Sequence, residues 1–190
     1  LTTLTKIMNH NQQFVNKDQL KCGTVLESFH VSKKPSENLA ILTCMDTRLV
    51  EFLEQATGIR RGEAKIIKNA GNIIAGDFGE TIRSLLISIF ELGVQEVIVI
   101  GHHDCGMAST SSEILKEKML ERGIAIEAIR RIEDELDLWV DAYHDPAGNV
   151  LKVVKQIKEN PLIPKDILVH GLIFCPNEGN LEVLYHDKKI

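Results

Sequence analysis

The stretch "ILTCMDTRL", residues 41–49, decides the fold. It closes an apolar run, "LAILT" (39–43), that shows no polar alternation. Such a run is the mark of a strand covered on both faces in a parallel sheet. Where the strand leaves the core, a thiol, a carboxylate and a guanidinium follow at every second position: Cys44, Asp46 and Arg48. A second stretch, "VIVIGHHDCGM" (97–107), ends in the same manner with His102 and Cys105.

Working outward, "AKIIK" (64–68), "EVIVIG" (96–101) and "DILVHGLIF" (166–174) predict three further strands, and "LEVLY" (181–185) a hairpin partner for the last of them. Helical spacing falls between them. Residues 48–58 predict a helix stopped by Gly58, and a second helix carries Ile82, Leu85, Leu86 and Ile89, capped near Asp77. Residues 111–143 predict helix broken at Gly123, with Ile129, Ile132, Leu136, Trp139 and Tyr143 on one face. "DPAG" (145–148) predicts a turn, followed by a helix over 149–159. Residues 1–20 read as a helix or an extended arm. Strands alternating with helices specify an α/β fold: a three-layer arrangement with a mostly parallel central sheet and helices on both faces. If the strands after Cys44 and before His102 are neighbours, the order is 2-1-3-4, and a C-terminal antiparallel strand completes the hairpin.

The 190 residues suit a single domain, with 44% apolar and 26% charged residues. A net charge of −5 argues against a general nucleic-acid binder. No run approaches the length of a membrane span, so a cytoplasmic, non-membrane protein is expected. The four cysteines, at 22, 44, 105 and 175, form no C-x-x-C pair. A disulfide scaffold is therefore not suggested. Cys22 and Cys175 are expected to pack as small hydrophobes.

In open α/β sheets, ligands bind beyond the carboxyl ends of strands at the point where the strand order reverses. That point brings Cys44, His102 and Cys105 together. Two thiolates and an imidazole suit Zn²⁺, and three protein ligands leave a fourth position for water, as in catalytic zinc sites. Extended chain would turn residues 44, 46 and 48 to one side. Asp46 is then placed to orient a water at the metal, and Arg48 to grip Asp46 in a two-pronged contact. Two thiolates neutralise the metal's charge, so activity is expected to rise on the alkaline side of neutrality.

Blander readings compete at each position. A structural zinc site would need a fourth protein ligand, for which Cys175, His103 or His170 would have to serve. His103 reads as making a backbone hydrogen bond and Asp104 as bracing its turn. "GNIIAGD" (71–77) has the glycine spacing of a phosphate loop, but Asp77 stands where lysine is required. Asn69, Ala70, Gly71 and Asn72 read instead as a close wall beside a small substrate.

"CMDTR", "NAGN" and "GHHDCGM" together resemble the β-class carbonic anhydrases, especially their compact bacterial and archaeal branch. "IKENPLIP", "ILVHGLIF" and "GNLEVL" extend the resemblance over roughly residues 35 to 186. It implies that Cys44, His102 and Cys105 hold one zinc per chain and that Asp46 and Arg48 are the catalytic pair. The implied reaction is reversible hydration of CO₂ to bicarbonate and a proton by zinc-bound hydroxide. It also implies a homodimer or a larger homo-oligomer, in which residues 1–30 form a helical arm on the partner. Two alternatives stand beside this. One is hydrolysis of carbon disulfide or carbonyl sulfide at the same site; the other is a non-catalytic zinc-stabilised dimer.

Overall fold

The computed structural model describes residues 3–19 and 31–188. The chain divides into two units, Leu1–Lys33 and Lys34–Ile190. In the first, α1 (Thr3–Gln19) presents Leu4, Ile7 and Met8 to solvent. Cys22, expected to be core, lies outside the described residues, as does most of the chain that joins α1 to the second unit.

The second unit begins with β1 (Leu39–Cys44), buried at all six positions. A 3₁₀ turn over Thr47–Leu49 leads to α2 (Phe52–Thr57). The single helix expected over 48–58 is thus two pieces. The break is at Glu51, whose φ of +64° lies in the left-handed region and cannot continue a helix. Gly58 ends α2 as expected, at φ +74°. Next come β2 (Ala64–Asn69), a 3₁₀ turn at Ala70–Asn72, and α3 (Glu80–Phe90). The residue at the start of α3 is Gly79, not Asp77, and it supplies no side-chain cap. β3 spans Glu96–His102.

Residues 111–143 fold as three short helices: α4 (Ser112–Glu121), α5 (Ile126–Arg130) and α6 (Glu133–Val140). Of the predicted apolar face, Ile129, Leu136 and Tyr143 are buried, while Ile132 is exposed. α7 runs over Pro146–Glu159, so "DPAG" is a helix start and not a free turn. Asp145 accepts a hydrogen bond from the Gly148 N–H, and Pro146 takes the first helical position, where no N–H is needed. β4 (Leu168–Phe174) and β5 (Leu181–Tyr185) complete the sheet.

The sheet order is β2-β1-β3-β4-β5. The first four strands are parallel, and β5 returns antiparallel to β4. One face packs against α3 and α7 through Leu42, Val97, Val99, Ile82, Leu85, Val150 and Ile157. Burying each such side chain contributes on the order of 1.5–3 kcal/mol. The other face carries α2, where Phe52 meets Phe174 edge-on at 5.6 Å between ring centres. Beyond α2 this second face is only partly covered. Val183 is 62% exposed and Ile66 37%, and Ile98 and Leu172 are half-buried.

Candidate metal centre

The strand order reverses between β1 and β3, and both strands end at this point. Cys44 is the last residue of β1 and His102 the last of β3. A tight turn after β3 then returns Cys105 to them. The metal-binding atoms of Cys44, His102 and Cys105 all lie within 4.8 Å of one another, and all three residues are buried. The two Sγ atoms are 3.9 Å apart. No other group of three such side chains with metal-ligand geometry occurs among the described residues. Cys175 is a free, half-buried thiol outside the cluster. His170 lies 3.3 Å from Glu96 and its ring stacks on His186, so it too is engaged elsewhere.

The histidine is pre-oriented. His102 is fully buried, and its Nδ1 lies 2.9 Å from the His103 carbonyl. With Nδ1–H donating there, the Nε2 lone pair is free, and Nε2 is a buried atom with no hydrogen-bond partner. A metal-ligating imidazole is commonly held in this manner. The His103 main-chain N–H donates to the Phe174 carbonyl at 2.9 Å, extending the β3–β4 pairing into the turn.

The thiols behave as a pair. The hydrogen-bond contact between the two sulfurs pushes Cys105 well below the usual thiol range. The same contact, reinforced by burial, pushes Cys44 up. Two sulfurs at this distance can hold a cation between them in place of a proton.

Arg48 is not on extended chain as the spacing suggested. It sits within the 3₁₀ turn that Asp46 caps, accepting the Arg48 backbone N–H at 2.8 Å. The guanidinium then folds back on the same carboxylate, with Nε 3.1 Å from Oδ1 and Nη2 2.8 Å from Oδ2. This pairing holds the Asp46 carboxyl down at about 2. Asp46 Oδ2 is 3.8 Å from His102 Nε2, so an ionised carboxylate stands at the edge of the cluster.

The wall expected from Asn69 to Asn72 divides into different roles. The Asn69 amide donates to the Ile73 carbonyl and the Thr81 hydroxyl and accepts from the Ile73 N–H, bracing the loop. Ala70 and Gly71 follow in the 3₁₀ turn, and the Gly71 carbonyl accepts from Asn149 Nδ2 at 2.9 Å. Gly71 has φ +70°, and a Cβ there would lie 2.9 Å from Met107 Cγ and 3.0 Å from Tyr143 Cε2. Asn72 is fully buried, with both amide atoms unpaired.

Two residues beside the cluster were not assigned such a place from the sequence. Tyr143, expected simply on an apolar face, packs with Cys44, Cys105 and Ile100. Burial pushes its phenol up, and the neighbouring Cys105 adds to the effect. Asp104 does not merely brace its own turn but reaches Arg48. Its position between two of the candidate metal-binding residues was the available signal.

A sequence model of the carbonic anhydrase family matches residues 39–181. The chain is 41% identical to β-carbonic anhydrase isoform I from Trichomonas vaginalis, with a TM-score of 0.92 over 99% of this chain and 100% of that one. Bacillus subtilis YvdA, which bears a provisional carbonic anhydrase name, is 40% identical over 97% of this chain and 92% of its own. A carbon disulfide hydrolase from Acidithiobacillus thiooxidans is 31% identical over 77% of this chain and 76% of its own. The family match over most of the chain and the 41% identity to a solved β-carbonic anhydrase point the same way: this chain belongs to the β-carbonic anhydrases.

Proposed function

We propose that this protein is a zinc enzyme that hydrates CO₂ reversibly to bicarbonate and a proton, using Cys44, His102 and Cys105 to hold the metal. The reading rests on one observation above the others, the fit of the buried cluster to zinc. Two sulfurs on a tetrahedral zinc, with Zn–S near 2.3 Å, stand about 3.8 Å apart. The Cys44–Cys105 separation is 3.9 Å, and the third donor, His102 Nε2, is a buried atom in need of a partner.

Bound there, zinc would supply a Lewis acid that acidifies a water into a nucleophile, less strongly than an all-histidine site because two thiolates offset the metal's charge. The protein's own groups do the rest. Both sulfurs would bind the metal as thiolates. His102 is fixed in one tautomer by the His103 carbonyl. Asp46, kept ionised by Arg48, offers an acceptor that orients the nucleophile's proton away from the incoming carbon. Ile73, Met107 and Tyr143 pack against the cluster and give apolar walls suited to a small, uncharged substrate. The wall residues Gly71 and Asn72 lie beside them.

The working unit in this reading is a homodimer. The part of the sheet face that α2 leaves uncovered, with Ile98, Leu172 and Val183, and the apolar residues exposed on α1 supply surface for a second copy. Among the described residues no helix is long and apolar enough to cross a membrane.

Stopped-flow CO₂ hydration across neutral to alkaline pH, on protein of measured zinc content, tests the proposal. Turnover that rises with pH and collapses in Asp46→Ala supports it. A fully loaded protein silent toward CO₂ but active on carbon disulfide would replace it with the activity named for the Acidithiobacillus relative. Silence on both would leave a structural metal.

A further inference from the structure

Asp104 stands in the turn between His102 and Cys105, one residue before a cluster ligand. Its φ is +54°, in the left-handed region that few residues other than glycine, asparagine and aspartate occupy. Its side chain is 82% exposed. An exposed carboxylate of this kind is ordinarily a solvated group, and a single surface ion pair contributes little to stability. The contacts here are of another kind. Asp104 Oδ2 accepts from Arg48 Nη1 at 2.8 Å, and the Asp104 carbonyl accepts from Arg48 Nη2 at 2.7 Å.

Together with Asp46, these contacts bracket the guanidinium. Nε and Nη2 serve Asp46, while Nη1 and Nη2 serve Asp104. An arginine is planar, so two partners on adjacent edges fix both its position and its tilt. Asp46 alone could not do this, because its carboxylate and the guanidinium belong to the same short turn and can rotate as a unit. Asp104 comes from a different strand end, 56 residues away in sequence. It ties the unit to the loop that carries two of the three cluster residues. The left-handed backbone serves this geometry by turning carbonyl and side chain together toward Arg48.

We propose that Asp104 is a positioning residue: by clasping Arg48 it sets where the Asp46 carboxylate stands relative to the Cys44–His102–Cys105 cluster. The proposal rests on the zinc-enzyme reading above, since Asp46 needs a reaction to serve. It assigns Asp104 no contact with substrate and no proton to carry. Loss of the clasp lets Arg48 and Asp46 swing while leaving the three ligands in place. The expected effect is therefore on turnover rather than on metal content.

The test uses full-length, zinc-loaded Asp104→Gly and Asp104→Asn. Glycine accepts the backbone conformation and keeps the main-chain carbonyl but removes the carboxylate, the side-chain half of the clasp; asparagine accepts it too and retains one acceptor oxygen. Asp104→Gly is expected to lower kcat about tenfold, within the range for residues that orient a metal site's partners, with KM for CO₂ and zinc stoichiometry unchanged. Asp104→Asn should recover part of the loss. In an Arg48→Ala background, Asp104→Gly should cause no further loss, because Asp104 acts through Arg48. Wild-type kcat in Asp104→Gly overturns the proposal, as does a loss that tracks zinc release or that persists in full without Arg48. A crystal structure of zinc-loaded Asp104→Gly supplies the reading independent of activity. A displaced Arg48–Asp46 pair supports the clasp; an unmoved two-pronged pair overturns it even if wild-type protein proves silent toward CO₂, an outcome that would itself refute only the proposed reaction.

Discussion

Gly71 lies one strand away from the Cys44–His102–Cys105 cluster, and its replacement by alanine should be costly for two separable reasons. The first is its backbone: at φ +70°, a residue with a Cβ costs roughly 1–2 kcal/mol. The second is space. The new carbon would stand 2.9 Å from Met107 Cγ, 3.0 Å from Tyr143 Cε2 and 3.3 Å from Ile73 Cδ1. Forcing an extra carbon into packed surroundings costs roughly 1–3 kcal/mol more. Gly58 provides the control, because it has φ +74° but nothing within 4 Å of its would-be Cβ. Gly58→Ala therefore carries only the backbone cost. For a domain of this size each kcal/mol lowers Tm by about 2–4 °C. Thermal unfolding by circular dichroism should show Gly58→Ala lower by about 2–8 °C and Gly71→Ala by about 4–20 °C. The order of the two variants decides the matter. Equal losses would mean that Met107 and Tyr143 yield freely, and that the wall beside the cluster is not packed as described.

Three further outcomes follow from the same geometry. Cys44→Ser should abolish stable zinc binding while the fold persists, checked by metal analysis after dialysis against a mild chelator alongside circular dichroism; full retention of zinc would remove Cys44 from the ligand set. Asp46→Asn should keep its zinc and lose turnover by about 10–100-fold, read by stopped flow. The Asp46 carboxyl is held at about 2 against an ordinary value of 3.8, so its contribution to stability is present above the ordinary value and is lost as pH falls through the lower one. Urea midpoints of zinc-free protein should accordingly decline between those two pH values more steeply in wild type than in Asp46→Asn, and parallel declines would deny the Arg48 pairing any role in folding.

The central strands were legible because burial on both faces leaves little choice of residue. β1 and β3 are near-continuous apolar runs, and the polar residues that interrupt them mark where each strand ends. The same logic located Cys44, His102 and Cys105. What escaped prediction depends on backbone torsions that side-chain patterns encode weakly. The apolar spacing at Leu49 and Leu53 fits a single helix, yet Glu51 adopts φ +64° between them. The turn at 47–49, which swings Arg48 back onto Asp46, has no periodic signature at all. "DPAG" was different, since aspartate followed by proline is a helix-start signal as well as a turn signal. Its length-independent meaning was decided by the apolar face of α7 that follows. Asp104 gave the faintest sign, because its partner Arg48 is distant in sequence and the contact runs partly through the main chain.

The three residues of the cluster come from two strand ends, with Cys44 and Cys105 61 positions apart in sequence. His102 and Cys105 are local to each other, so a folding chain can offer them together from the outset. Cys44 joins only when β1 has found β3, a parallel pairing that has to wait for chain closure over the intervening α2, β2 and α3. On the proposed zinc reading, tight metal capture is thereby a late event in folding. During refolding, the moment at which zinc becomes resistant to a competing chelator would time the formation of the central strand pair.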